Sequence, residues 1–468
     1  MKTYLDWSAY DTYGIGDAYS GIPATGGNYA KAVAVCMHSH DCYKTGKGVM
    51  CPSYRATRDT ANTPEARVAA FKAALNGEFG DKPFSDPRLA AAMDLCVSCK
   101  ACKKECPSAV DMTLIKTEYL AHRNAELGIS WRTWLFANLP RWTGYHPRAL
   151  RIAIALRNRS RLLASLAEHW FGIAADMPIP QPAARAFQPP APGAHAPRGE
   201  VLLFADTFAT HFEPEIARAA TEVLTAAGYS VRPVKPAPDD PEPNRPLCCG
   251  RTYLTHGMVN EARREGRRVL AALRPALQTK TPVIGLEPSC LLSLRDELYC
   301  MGLGAEVGQL GKQLFLLEEF LVREEMRGLK LPLKEQPAAR ALVHGHCHQK
   351  AFGTTKAMRK IVSSIPGLTY ELIDSSCCGM AGSFGLEAEH RATSKTMAEL
   401  SLLPAVRAAS PQDKIIANGF SCRHQIAHGS RQKPRHIALV LRDSLALDRE
   451  RKPEEAAAQT VAPASLSG

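Results

Sequence analysis

The sequence predicts two fold classes in one chain: a mainly helical α+β domain at the N-terminus, then an α/β domain made of two copies of one unit. Three observations predict this. The 15 cysteines fall into two blocks, seven between Cys36 and Cys106 and eight between Cys248 and Cys422. Capped helical stretches surround the first block. Short apolar runs alternate with amphipathic helical runs through the second block, twice over, which points to parallel sheets of doubly wound type. At 468 residues the chain has room for two or three domains with cores of their own.

The elements follow in order. Within residues 1–130, "TPEARVAAFKAALNG" has Pro in its first turn and Gly at its end, as helices prefer. "PRLAAAMDLC" reads as a short helix delivering Cys96, and residues 111–127 as a helix leaving Cys106. Residues 131–175 form a basic, tryptophan-rich helical segment. Its stretch 131–173 holds four of the five tryptophans and seven arginines, against one acidic residue, Glu168. Residues 176–199 are rich in proline and alanine and read as a linker.

The first copy, residues 200–335, reads strand "VLLFAD", helix, strand "SVRPV", "CCG", helix, strand "TPVIGLEPSC". The second, residues 336–447, reads strand "ALVHGHCH", helix, strand "TYELIDS", "CCG", helix, strand "KIIANGFSC". In both, cysteines sit at or just beyond the carboxyl ends of strands, where ligands collect in open α/β sheets. Residues 448–468 are polar and low in complexity, and are expected to be disordered.

Composition narrows the function. No window reaches the roughly 18 consecutive apolar residues of a membrane span. The start, "MKTYLDWSAYDTYG", is no secretory signal. A cytoplasmic location is therefore expected, where thiols stay reduced and metal or cluster ligation is the better use of so many cysteines. A formal net charge of +12 suggests an acidic partner or anionic lipid. Nucleic acid is not expected, because no binding motif accompanies the charge.

"CVSCKACKKECP" has the spacing C-x2-C-x2-C-x3-C-P of a ferredoxin-type iron–sulfur site. Three thiolates on one tight loop hold three corners of a cube, and the fourth cysteine of such a run ligates the neighbouring cluster. Laid on that template, "CMHSHDCYKTGKGVMCP" places Cys36, Ser39 and Cys42 at the first three positions and Cys51 at the fourth. The swap makes Cys51, Cys96, Cys99 and Cys102 a complete set for a 4Fe-4S cluster. Cys36, Cys42 and Cys106 make a degenerate set of three. That set leaves three outcomes open: a 3Fe-4S cluster, a second 4Fe-4S cluster with Ser39, His38 or His40 as extra ligand, or an empty site. Surface histidines on a polar loop are the plainer account of His38 and His40. Zinc is the alternative for the C-x2-C spacings.

Cys248-Cys249-Gly250 and Cys377-Cys378-Gly379 belong to another geometry, because adjacent cysteines cannot both point at one cube as a C-x2-C loop does. Cys290 and Cys422 follow in parallel contexts, and Cys347 appears in the second copy alone. Seven thiols thus converge near strand ends, where two facing copies can share one site. Cys300 lies outside the pattern and reads as inert. His346, His348 and His424 flank the cysteines, either as hydrogen-bonding tuners or as polar neighbours. Lys100, Lys103 and Lys104 stand beside the cluster motif, either stabilising a reduced cluster or forming a solvated face. The basic aromatic segment is either a helical wrap with its tryptophans in the core, or a docking face for membrane headgroups or an acidic partner.

With "MCPSYRATRD", "CVSCKACKKECP", "EPSCLLSLRDEL", "HGHCHQKAFG", "DSSCCGMAGSFG" and "ANGFSCRHQI" in hand, the chain resembles the iron–sulfur half of FAD-linked D-2-hydroxyacid dehydrogenases of the D-lactate and D-2-hydroxyglutarate type. It is more distantly similar to glycolate oxidase iron–sulfur subunits and to the C subunit of anaerobic glycerol-3-phosphate dehydrogenase. Fused family members also lack the middle cysteine of the opening motif but carry Asn there, where this chain has Ser39.

The paired Cys-Cys-Gly units resemble those of the B subunit of heterodisulfide reductase. That resemblance implies that Cys248, Cys249, Cys290, Cys347, Cys377, Cys378 and Cys422 are candidate ligands. With one cysteine absent from the first copy, at most one non-cubane cluster, or zinc, is expected. In the fused relatives a flavin domain precedes "LDWSAY", and "GIGDAYSG" is not a dinucleotide motif. FAD is therefore expected on a partner dehydrogenase subunit, with a quinone or electron-carrier protein as acceptor and peripheral contact with the inner face of the cytoplasmic membrane. The catalytic residues are unknown. The alternatives are a catalytic subunit reducing a disulfide or quinone, and a non-enzymatic iron–sulfur or zinc regulatory protein.

Overall fold

A computed structural model describes residues 1–13, 21–190, 196–336 and 339–446. The expected disordered tail and nearly all of "GIGDAYSG" lie outside the described residues. The N-terminal part is helical, as its caps dictate. Thr63 accepts from the Ala66 amide and opens the helix Pro64–Leu75. Asp86 opens Pro87–Asp94, and Asp111 opens Met112–Leu127. These helices bury Tyr29, Phe71, Leu89, Met93, Ile115 and Tyr119 in one core. Glu118, also buried, accepts from the amides of Tyr4 at 2.7 Å and Leu5 at 2.8 Å and from the Trp7 indole at 3.1 Å. That carboxylate staples the first residues of the chain to the domain.

Seven strands follow: β1 (Glu200–Phe204), β2 (Ser230–Pro233), β3 (Val283–Gly285), β4 (Leu314–Leu316), β5 (Ala339–His344), β6 (Leu368–Leu372) and β7 (Lys414–Ala417). They form two parallel sheets, of order β2-β1-β3-β4 and β6-β5-β7. Val201, Leu203 and Ile284 of the first sheet share one core with Ala341, Val343 and Ile416 of the second, through helices such as Pro214–Ala226 and Ile437–Asp443. The other face of the first sheet packs under the helix Val259–Thr279, and that of the second against Ala174 and Met177. Both sheets are thus covered on both faces, as parallel sheets require.

Three details differ from the sequence expectation. The strands expected to run on to Cys290 and Cys422 stop early. Pro288 begins a helix, Pro288–Leu294, capped by Glu287, and Phe420 begins Phe420–Gly429, so each cysteine rides the first turn of a helix. The proline-rich stretch does not hang free where it is described. Phe187 and Met177 are buried apolar anchors within it, and its backbone bonds to the carbonyls of Thr210 and His211. The basic segment forms the helices Trp131–Ala137, Leu139–Tyr145, Pro147–Arg159 and Arg161–Phe171, but its tryptophans are not core residues. Trp131 is 74% and Trp170 73% exposed.

Candidate iron–sulfur centres

Cys51, Cys96, Cys99 and Cys102 line one cavity, together with Ser53, Arg67 and Thr113. Cys51 caps the short helix Pro52–Thr57, and Cys102 lies in the helix Ala101–Glu105. Between Cys96 and Cys102, Ser98 and Lys100 take positive φ angles of 49° and 62°, which wrap the loop around the cavity. All four thiols are buried.

The fully buried Arg67 places Nη1 3.5 Å from the Cys51 sulfur and donates to Ser53 Oγ at 3.0 Å and to the Ala92 carbonyl at 3.0 Å. Burial alone pushes the Cys51 thiol up, but the Arg67 charge and several hydrogen bonds outweigh it and hold the thiol below its ordinary value. Cys99 and Cys102 are pushed well up by burial and by neighbouring thiolates, so their ionisation calls for a bound cation such as iron. Sequence reasoning missed Arg67. The signal was there: it shares the apolar stripe Pro64, Val68, Phe71, Leu75 of its helix.

The lysines of the motif divide. Lys100 is buried against Asp296, with Glu297 3.4 Å away. Lys103 bridges Asp296 at 2.6 Å and Asp111 at 2.9 Å. Lys104 is exposed. Lys100 is therefore an interdomain anchor and not part of a solvated face.

Of the degenerate set, Cys42 is buried and Cys36 and Cys106 are half-buried. Burial, with the field of Cys106 added, raises Cys36, and burial pushes Cys42 up to about 11. Ser39, His38 and His40 are exposed. His38 Nδ1 lies 2.6 Å and His40 Nδ1 3.0 Å from the two oxygens of Glu65. Glu65, unforeseen from the sequence, is the carboxylate beside these thiols, and its negative charge raises Cys36 and Cys42 further.

The Cys-Cys-Gly residues meet between the two sheets. A cavity of about 100 Å³ is lined by Cys248, Cys249 and Cys290 from one side and Cys347, Cys377 and Cys378 from the other. The Cys422 thiol adjoins Cys378. The two motifs turn alike: the Gly250 amide lies 3.4 Å from the Cys248 sulfur, and the Gly379 amide 3.4 Å from that of Cys377. Both glycines hold φ above +80°, and an added Cβ would meet the carbonyl oxygens of Ala262 and Ser394. The missing cysteine has a visible counterpart. Cys347 opens a helix after β5 behind its cap His346, and Thr207 opens a helix after β1 behind its cap Asp206.

Hydrogen bonds from Cys347 and Cys378 hold Cys377 well below the ordinary thiol value. Cys290 is lowered by its bond with Cys249, but burial and the carboxylates of Asp206 and Glu287 drive it up to about 12. Burial brings Glu287 up to about 7 and His346 down to about 4, so the imidazole is neutral. His346 and His348 line the cavity. His424 does not; its Nε2 lies 2.9 Å from the Pro178 carbonyl. Cys300 stands apart, packed against the N-terminal core.

The two cavities adjoin. Val97 lines both, and Cys99 feels the charge of Cys377. A single tetrahedral zinc needs its sulfurs about 3.8 Å apart. Among the described residues no three thiols lie within 4.8 Å of one another, and the group that does is Glu387, Glu389 and His390.

Residues 32–110 match the model of a 4Fe-4S dicluster domain. The chain thus carries an iron–sulfur domain of electron-transfer type. Its relatives sharpen this. It is 27% identical over 252 residues to the C subunit of anaerobic glycerol-3-phosphate dehydrogenase of Escherichia coli K12, covering 53% of this chain and 60% of that one. It is 24% identical over 395 residues to D-2-hydroxyglutarate dehydrogenase of the same strain, covering 80% of this chain and 36% of the relative. Lactate utilization protein A of Bacillus velezensis is 26% identical over 198 residues, 40% of this chain and 75% of that protein. The matched part thus spans little more than a third of the D-2-hydroxyglutarate dehydrogenase. The resemblance read from the motifs holds.

Proposed function

We propose that this chain is the iron–sulfur subunit of a flavin-dependent 2-hydroxyacid dehydrogenase, carrying electrons from FAD on a partner subunit to a quinone or electron-carrier protein. The observation that carries the reading is the cavity lined by the buried Cys51, Cys96, Cys99 and Cys102 beside the Cys-Cys-Gly cavity. A 4Fe-4S cluster there supplies one-electron transfer. The protein's part is to grip it and set its environment: Arg67 against Cys51, Lys100 beside Cys99, and low solvent access.

We divide the chain into a ferredoxin-type domain (1–130), a basic helical segment (131–175), a linker (176–199) and two Cys-Cys-Gly repeats (200–335 and 336–447). The matching strand orders, the matching N–H···S turns and the paired helix starts at Thr207 and Cys347 support the duplication. Four thiols in the second repeat against three in the first favour one non-cubane cluster at most. Peripheral contact with the cytoplasmic membrane belongs to the same reading. No helix among the described residues is long and apolar enough to cross a membrane.

A second reading is favoured by the thiol-lined cavity: the Cys-Cys-Gly site itself reduces a disulfide. One anaerobic experiment tests both. Wild-type chain should contain iron and acid-labile sulfide, lose visible absorbance when mixed with its reduced flavoprotein, and lose most of that absorbance in Cys96→Ser but not in Cys300→Ala. Colourless wild-type protein refutes the proposal. A paramagnetic signal that changes on adding a disulfide substrate selects the second reading.

A further inference from the structure

A cleft beside the thiol cavities has no role in the reading above. It encloses about 370 Å³, within the range of small-molecule sites, and lies where the cluster domain meets the α/β body. The helix Met112–Leu127 forms one wall, presenting Lys116, Tyr119, Leu120, Arg123 and Asn124 at helical spacing. Met93, Val97, Phe136 and Phe384 supply apolar surface, and Cys96 lies at the inner end.

The charges on this lining are unequally partnered. Each acid is already engaged: Asp94 with His390 at 2.9 Å, Glu387 with His390 at 2.8 Å, and Glu389 with Arg132. His390 and Arg132 are thereby used up. Lys116 and Arg123 are not. The Lys116 amine donates to the carbonyls of Cys96 at 2.5 Å and Met93 at 3.0 Å but makes no direct ion pair among the described residues. Arg123 touches the Tyr119 hydroxyl, makes no ion pair, and leaves its buried Nε without a hydrogen-bond partner. Neither cation has a carboxylate in direct contact, although Asp94 and Glu387 act on Lys116 at longer range, and an anion entering the cleft would pair with both.

We propose that this cleft binds a small organic carboxylate, its charge held by Lys116 and Arg123 and its apolar body against Met93, Phe136 and Phe384. An inorganic anion would leave the apolar wall unused. The inference stands apart from the electron-transfer reading, because it concerns equilibrium binding by the chain alone. It has a consequence for that reading: a carboxylate beside the Cys96 backbone disfavours added negative charge nearby, so occupancy would report on the reduction state.

The test is a titration of the anaerobically purified full chain with 4-fluorobenzoate, followed by fluorine NMR, with inorganic phosphate as competitor. Saturable binding is expected at about 1 mM or tighter. Arg123→Gln should weaken it at least tenfold, about 1.4 kcal/mol. Lys116→Met should do likewise, with Lys116→Arg restoring it, and Arg148→Gln on the outer face should leave it unchanged. Because Lys116 also braces the cluster loop, Arg123→Gln and the thermal midpoint of each variant guard against misfolding as the cause. No saturation by the wild type, unchanged affinity in Arg123→Gln, or displacement by phosphate at equal concentration overturns the proposal.

Discussion

His390 is held between Asp94 and Glu387, 2.9 Å and 2.8 Å from its two ring nitrogens, and stacks on Phe384 with centroids 4.4 Å apart. Burial works against its charge, but the two carboxylates prevail and raise its pKa from 6.5 to about 9. A raised pKa means that the folded state binds the proton more tightly than the unfolded chain. The stabilisation is fully present below about 6.5 and fades as pH climbs through about 9. The urea midpoint of the wild type should therefore fall across that window by more than that of His390→Gln. Parallel pH profiles for the two proteins contradict the assignment. The same residue shows why this part of the site was hidden in the sequence. His390 and Asp94 are almost three hundred positions apart, and no local pattern joins them. Arg67 differs: its place on the apolar stripe of its helix marks it as buried, but nothing local in the sequence names Cys51 as its partner.

At the scale of elements, what could be read from the sequence was whatever is coded locally. Cys96, Cys99 and Cys102 share one loop, and six strands announce themselves as apolar runs bounded by turn residues. The strand β4 was missed because three residues, Leu314–Leu316, run directly into the helix Leu317–Glu325 and leave no period to detect. The basic segment carried two readings because periodicity says which residues share a face, not whether anything covers it. Structure settles the exposure: Ile152, Leu156, Leu162, Leu166 and Trp170 of the helices Pro147–Arg159 and Arg161–Phe171 face solvent. Arg148, Arg151, Arg159 and Arg161 lie on the same two helices. An apolar stripe flanked by arginines suits the interface of an anionic bilayer. Leu162→Glu with Trp170→Glu should weaken co-sedimentation with phosphatidylglycerol vesicles at least tenfold, since each large side chain buried in lipid contributes about 1.5–3 kcal/mol. The urea midpoint should stay put, because neither side chain is part of a core. Equal sedimentation of the variant removes the membrane from the account and leaves the face to a protein partner, whereas equal binding to neutral vesicles removes the arginines' part in it.

Across the whole molecule, one charged network ties the Cys96–Cys102 loop to both halves of the Cys-Cys-Gly site. Lys100, next to Cys99, pairs with Asp296 and lies 3.4 Å from Glu297. Glu297 holds Arg251 at 2.7 Å, two residues from Cys249. Arg251 reaches His348, next to Cys347, at 3.2 Å. The cluster loop and the chain on either side of the Cys-Cys-Gly cavity are thus linked through side chains that are mostly buried, where a pair broken on one side costs more than it contributes when intact. Asp296→Asn is the informative cut. It takes a counter-charge from both Lys100 and Lys103 yet leaves Lys103 its 2.9 Å contact with Asp111 and Lys100 its longer contact with Glu297. The loss should therefore be about 1–3 kcal/mol, below the about 3–5 kcal/mol of a fully stranded charge. Where it appears matters more than its size. The network anchors the Cys96–Cys102 loop to the α/β body, while the core shared by the sheets contains none of these residues. In anaerobic urea titrations the visible absorbance of the variant should vanish at lower denaturant than the far-ultraviolet signal, whereas in the wild type the two should fall together. Coincident curves in Asp296→Asn mean that the loop is held by the N-terminal core alone, and that it and the Cys-Cys-Gly site are neighbours without being mechanically joined.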